Sequence, residues 1–151
     1  MADLTTELLG YTLNSPLVLA SGIWGTSPSM MERAAISGAG AVTAKSCGPT
    51  PREGHPNPVT ITWEHGMLNA IGLQNVGVDD FIRHKIPFLG RFDVPVIVNF
   101  FGNTGEEYAE VAARLDEVPG VAALEMNISC PNVKEGGLDM STHPHLAAEV
   151  V

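Results

Sequence analysis

Four stretches of this chain are apolar at consecutive rather than alternating positions, and each ends among small or polar residues: SPLVLASG (15–22), AGAVTAKS (39–46), VPVIVNFFG (94–102) and VAALEMNIS (121–129). A half-solvated strand alternates apolar and polar side chains. A strand covered on both faces reads as an unbroken apolar run, and such strands belong to parallel sheets packed between layers. Parallel neighbours need crossover segments between them, and the sequence supplies helical patterns in those places. Ser27-Pro28 reads as an N-cap and first-turn proline opening a helix through SMMERAAIS, which Gly38 closes. Thr104 and Glu107 form a capping-box pattern before EYAEVAARLDE, and Pro119-Gly120 ends that segment. A shorter helix is expected over VDDFIRHKIPFLG, and HPHLAAEVV begins another.

The fold class is therefore α/β, a succession of right-handed parallel units. Four such units fit either half of a (β/α)8 barrel or a small doubly wound sheet. A dinucleotide-binding unit is disfavoured, because SGAGAVTA puts its glycines before a strand rather than after one, and no GxxxxGK appears. One connection stands out. Residues 47–75, CGPTPREGHPNPVTITWEHGMLNAIGLQN, far exceed an ordinary strand-to-helix loop; VTITW within them suggests a short hairpin strand. A long excursion at a strand end is a usual carrier of function.

Bulk properties exclude several classes. With 151 residues, 44% hydrophobic and 17% charged, the chain has enough apolar material for one buried core. A net charge of −9 and the lack of a basic run argue against nucleic acid or an anionic membrane surface as partner. The apolar runs are far shorter than the ~20 residues of a spanning helix. MADLTTELLG has no basic n-region, so a cytoplasmic location is expected. Cys47 and Cys130 are expected as free thiols, and the five histidines show no metal-ligand spacing.

In parallel α/β sheets, reactive groups collect at the carboxyl ends of the strands. Here these ends carry Ser21 and Gly22, then Lys45 and Ser46, then Asn99, then Asn127, Ser129 and Cys130. Taken singly, each has an ordinary reading. Asparagine at a strand end serves equally as a turn former, and a cysteine is often an inert small hydrophobe. Lys45 inside an apolar strand is harder to explain, since lysine is seldom buried without an anionic partner. Together, several neutral amides beside one cation suit a planar ring with many hydrogen-bonding edges held near an anionic group. A flavin and a small planar carboxylate meet that description. Cys130 is the uncharged strand-end group that can ionise near neutrality.

These same residues carry a resemblance. ASG (20–22), TAKS (43–46), NAIGLQN (69–75), VNFFG (98–102) and NISCPN (127–132) resemble, in order along the whole chain, the N-terminal half of the dihydroorotate dehydrogenase family. Cysteine in the loop after the fourth strand is similar to the class 1 enzymes, and Lys134-Glu135-Gly136-Gly137 resembles the NAD-linked class 1B catalytic subunit. The resemblance implies a (β/α)8 barrel binding FMN, which oxidises dihydroorotate to orotate in pyrimidine biosynthesis. It implies that Ser21, Lys45, Ser46, Asn99 and Asn127 contact FMN. Lys45, Asn69, Ala70, Ile71, Gly72, Leu73, Asn127 and Asn132 are then expected to hold the substrate, with Cys130 as the base and Lys45 beside the reacting atoms. An iron-sulfur and FAD electron-transfer subunit, and an oligomer at full length, are implied as partners; no metal ligands are expected.

A complete barrel takes roughly 250 residues, so residues 1–151 are expected to form the first four β/α units of one FMN-binding domain. The flavin phosphate in such barrels is usually held after strands 7 and 8, hence beyond Val151. Alone, the chain is expected to bind FMN weakly and turn over little. Two alternatives remain: another flavin barrel enzyme similar to dihydropyrimidine dehydrogenase, and a non-catalytic half barrel that acts in assembly.

Overall fold

The computed structural model of the chain describes residues 2–129 and 141–151. Its centre is a four-stranded, wholly parallel sheet of β3 (Val18–Leu19), β4 (Ala41–Cys47), β7 (Val96–Phe100) and β8 (Ala123–Met126), hydrogen-bonded in that order. These are the four apolar runs, each trimmed. The first run shrinks most, because only Val18 and Leu19 pair, with Ala41 and Val42, before the chain turns away. Sheet order follows chain order, so every crossover joins adjacent strands.

The register explains why the runs look unbroken. Val42, Ala44, Val96, Val98, Phe100, Leu124 and Met126 face one side and pack with Met31, Phe81, Leu89, Tyr108, Val111 and Leu115 from the helices. The alternate positions Ala41, Ile97 and Ala123 face the other side, where Leu13 covers them. Both parities are thus buried, each against something different. Leu13 ends an N-terminal hairpin, β1 (Thr6–Leu8) with β2 (Tyr11–Leu13), which closes the sheet at the amino ends of its strands. The first fourteen residues gave no strand signal because both arms are three residues long and largely exposed. Gly40 lets this segment approach, since a Cβ there would sit 2.0 Å from the Ser15 carbonyl oxygen.

Helix α1 (Pro28–Ile36) starts and stops as the sequence indicates, with Gly38 at φ +104° donating to the Ala35 carbonyl. Ser27 does not cap it through its side chain, however; its hydroxyl bonds that of Ser29 instead. The expected short helix becomes α2 (Gly77–Asp80), a π-helical turn (Phe81–Lys85) and α3 (Ile86–Leu89). Pro87 has no N–H to give to the preceding turn, and Ile86 N–H reaches back five residues to Phe81. A widened turn absorbs the proline without breaking the helix. Helix α4 (Gly105–Asp116) is capped by Thr104, whose hydroxyl accepts from Glu107 N–H at 3.3 Å. The reciprocal arm differs from the usual box: Glu107 accepts from the backbone and side-chain amides of Asn103. Helix α5 (Pro144–Val150) follows as expected. No helix among the described residues is long and apolar enough to cross a membrane.

The excursion closes on itself. Arg52 and Asn75 exchange both backbone hydrogen bonds, His55 N–H donates to Ile71 and Ala70 N–H to Val59. Beyond these rungs the hairpin β5 (Thr60–Trp63) with β6 (Gly66–Asn69) extends the pairing. Asn75 buckles the base of this arm: its Oδ1 accepts from Gly48 N–H and Gly77 N–H, and its Nδ2 donates to the Leu73 carbonyl.

Candidate active site

At the carboxyl ends of the four strands lies a cleft of about 760 Å³, in the size range of small-molecule sites. Ser21, Lys45, Ser46, Asn99 and Asn127 all line it, so the five residues singled out for one ligand meet in space. From the excursion, Asn69, Ile71, Gly72 and Leu73 form the opposite wall, with Met67 beside them. Ala70 is not brought in: it is exposed and its backbone pairs with Val59. Cys130 and Asn132 lie outside the described residues; Ser129, which precedes Cys130, lines the cleft.

A regular strand sends neighbouring side chains to opposite faces, so Lys45 and Ser46 should not share a cavity. A bulge resolves this. Between the pairs Ala44 with Val98 and Cys47 with Phe100, β4 spends three steps where β7 spends two. The extra residue re-aims the chain, as bulges at sheet rims do. Lys45 and Ser46 both reach the cleft, while Cys47 returns to the helix-covered core. Lys45 is half-buried rather than enclosed, which fits a cation serving an open site.

The two asparagines are held differently. Asn127 Nδ2 donates to Ser46 Oγ at 3.3 Å, its Oδ1 accepts from Ser129 N–H, and its carbonyl accepts from the buried Tyr108 hydroxyl at 2.7 Å. Helix α4 thereby fixes the end of β8. Asn99, only 5% exposed, donates through Nδ2 to Glu125 Oε1 at 2.5 Å, and its Oδ1 is buried without a partner among the described residues. A buried acceptor with no donor is costly. Glu125 escaped the sequence reading, since a single carboxylate in a strand reads as a solvent-facing position.

The excursion is strained where it walls the cleft. Leu73 sits at φ +55° with its side chain 6% exposed, directly after Gly72 at φ +74°. A Cβ on Gly72 would lie 2.5 Å from the His55 ring. Non-glycine residues in this conformation persist where the surroundings over-determine them. The second cysteine plays no part in the cleft. Cys47 is 1% exposed, and burial pushes its thiol up to about 12, so it stays neutral at any ordinary pH. No cluster of three metal-ligating side chains exists among the described residues.

A set of neutral amides and hydroxyls, one lysine and an unpaired acceptor fits a flavin ring. The catalytic subunit of dihydroorotate dehydrogenase B (NAD(+)) from Pelobacter propionicus is 50% identical over 149 residues, and that from Geobacter sulfurreducens is 51% identical. Each alignment takes in 99% of this chain and 49% of the relative, so the chain spans about half the length of the curated relatives it matches. A crystal structure of an Eimeria tenella dihydroorotate dehydrogenase in complex with ferulenol superposes with a TM-score of 0.77 at 22% identity. It covers 98% of this chain and 42% of that one, and establishes the fold as part of an α/β barrel. The family model described as Dihydroorotate dehydrogenase matches residues 3–151, and on that match together with the half-identical relatives the chain belongs to the dihydroorotate dehydrogenase family.

Proposed function

We propose that the chain forms the first four β/α units of a single FMN-binding (β/α)8 domain, with the excursion 47–75 as one wall of its active site. In that domain it takes part in oxidising dihydroorotate to orotate for pyrimidine synthesis. The observation that carries this reading is the convergence of Lys45, Ser46, Asn99 and Asn127 on one cleft through the β4 bulge, opposite the arm carrying Asn69 and Leu73. FMN, when bound, supplies the acceptor for the two electrons that leave the substrate's C6 as hydride.

The chain's own residues do the rest. Lys45 stands half-buried at the cleft wall and serves the carboxylate of the substrate while stabilising negative charge that develops on the ring side. Ser21, Ser46, Asn99 and Asn127 hold the flavin edges. Asn69, Ile71, Gly72 and Leu73, with Asn127 and Asn132, hold the pyrimidine. Cys130 takes the C5 proton, so that the C5–C6 double bond forms. A thiol with an ordinary pKa of ~8.5 is a few per cent ionised at pH 7, so turnover rises with pH unless the loop lowers that value. The relatives' name specifies a catalytic subunit using NAD(+); we extend this to a partner subunit carrying an iron-sulfur cluster and FAD, to a cytoplasmic location and to an oligomer at full length.

The test is the full-length protein loaded with FMN. Dihydroorotate should bleach the flavin band, whereas bleaching by a 5,6-dihydropyrimidine base but not by dihydroorotate assigns the site to a different oxidation. Cys130→Ala should keep the flavin and lose turnover by about 10²–10⁴ at neutral pH. Turnover retained in that variant removes Cys130 from the base role.

A further inference from the structure

Among the described residues that line the cleft, Glu125 carries the only carboxylate. It lies directly across from Asn99 in the β7–β8 register. A primary amide can rotate by half a turn and exchange its donor for its acceptor at little cost, so an asparagine alone does not define what it recognises. A carboxylate removes that freedom, because it only accepts. With Nδ2 committed to Glu125 Oε1 at 2.5 Å, Oδ1 is the Asn99 atom left buried without a donor among the described residues, on a side chain that lines the cleft.

We infer that Glu125 is a positioning residue: it fixes the Asn99 side chain so that Oδ1 faces the cleft as an acceptor for an imide N–H of a bound ring. The inference rests on the proposed function for the identity of the ring. The chemistry is specific even so. An oxidised isoalloxazine has a single ring N–H, N3, flanked by two carbonyls. Orotate carries an N3–H of the same kind. Both rings therefore offer the donor this acceptor lacks, and methylation at N3 abolishes it in either. Glu125 is not part of the helix-covered core, so replacing it leaves that packed face untouched.

The experiment measures dissociation constants on the full-length protein for two ligand pairs, FMN against 3-methyl-FMN and orotate against 3-methylorotate. The wild type should prefer the N–H member of at least one pair by roughly 10–100-fold, the range set by a lost hydrogen bond to a buried acceptor. Preference in the flavin pair assigns the acceptor to the cofactor, and preference in the orotate pair assigns it to the substrate. Glu125→Leu keeps the side chain's bulk but cannot direct the amide, and should cut that preference to a few-fold. Glu125→Gln retains a carbonyl acceptor and should fall between the two. Glu125→Leu discriminating as well as the wild type overturns the inference and assigns the preference to shape alone. Wild-type protein that binds FMN and orotate without discriminating either pair also overturns it. Failure of the wild type to bind either ring overturns the functional reading itself, and the inference with it.

Discussion

The central sheet has two faces that differ in one respect: on the helix side its polar groups are absent or paired, and on the cleft side some are neither. Val42, Ala44, Val98 and Phe100 meet Phe81, Tyr108, Val111 and Leu115 in a core whose members are at most 2% exposed. One residue further along each strand, Thr43 Oγ1 and Asn99 Oδ1 are buried with no partner among the described residues. A chain selected for stability alone would have filled those positions with valine and leucine. The contrast separates residues that hold the fold from residues whose buried polar atoms the fold leaves unpaired. Perturbing each face should therefore give opposite signs.

The largest expected effect is on the helix side. Phe81→Ala empties a site that is 1% exposed at the start of the π-helical turn, and should cost about 3–5 kcal/mol in urea-monitored stability. A cost below 1 kcal/mol would show that the helix face collapses around the gap and is looser than its burial indicates. Next comes the Cys47 thiol, raised by burial to about 12. The unfolded chain ionises near pH 9 while the native thiol stays protonated, so the unfolded state sheds its proton first. This contribution to stability is intact below about pH 9, and falls by roughly 1.4 kcal/mol per pH unit from there towards pH 12. Other groups titrate in the same window. The difference in slope between wild type and Cys47→Ala isolates the thiol, and equal slopes would place Cys47 in contact with water.

On the cleft side the sign reverses. Asn99→Leu removes an unpaired buried oxygen and leaves only the exposed Glu125 without its donor. It should raise stability by about 1 kcal/mol while weakening FMN binding at least tenfold. A variant that loses both stability and flavin would mean that Asn99 holds the strand end as well as the ligand, and the division between the faces would blur.

How much of this division was legible follows from what each face asks of the sequence. Burial on both sides makes a strand apolar throughout, so the four strands and their crossovers could be read from consecutive hydrophobic positions. The strand-end polar set was legible for the same reason, since Lys45, Asn99 and Asn127 interrupt those runs. The β4 bulge was not. It depends on a register with β7 that no local pattern encodes, yet it turns Lys45 and Ser46 to one side. Asn75 was read as part of a family motif and proves to be the buckle of the excursion, bonding Gly48, Leu73 and Gly77. Glu125 was overlooked because a single charge in a strand resembles a solvent-facing position until its partner across the sheet is known.

The smallest expected effect tests the outer limit of the helix face. Arg114 of α4 pairs with Asp79 of α2 and approaches Glu110 one turn away. This ties together two helices that cover the same sheet. The pair is largely solvated, with Asp79 about two-thirds exposed, so the Coulomb gain is offset by ordering two side chains and is screened by salt. Arg114→Ala should cost less than about 1 kcal/mol, and that cost should shrink further between low and high salt. If it instead approaches the Phe81 value and ignores salt, the two helices are clamped by charge rather than by the apolar layer beneath them. Stability on that face would then reside at its rim, and the contrast with the cleft would lie in polarity no longer.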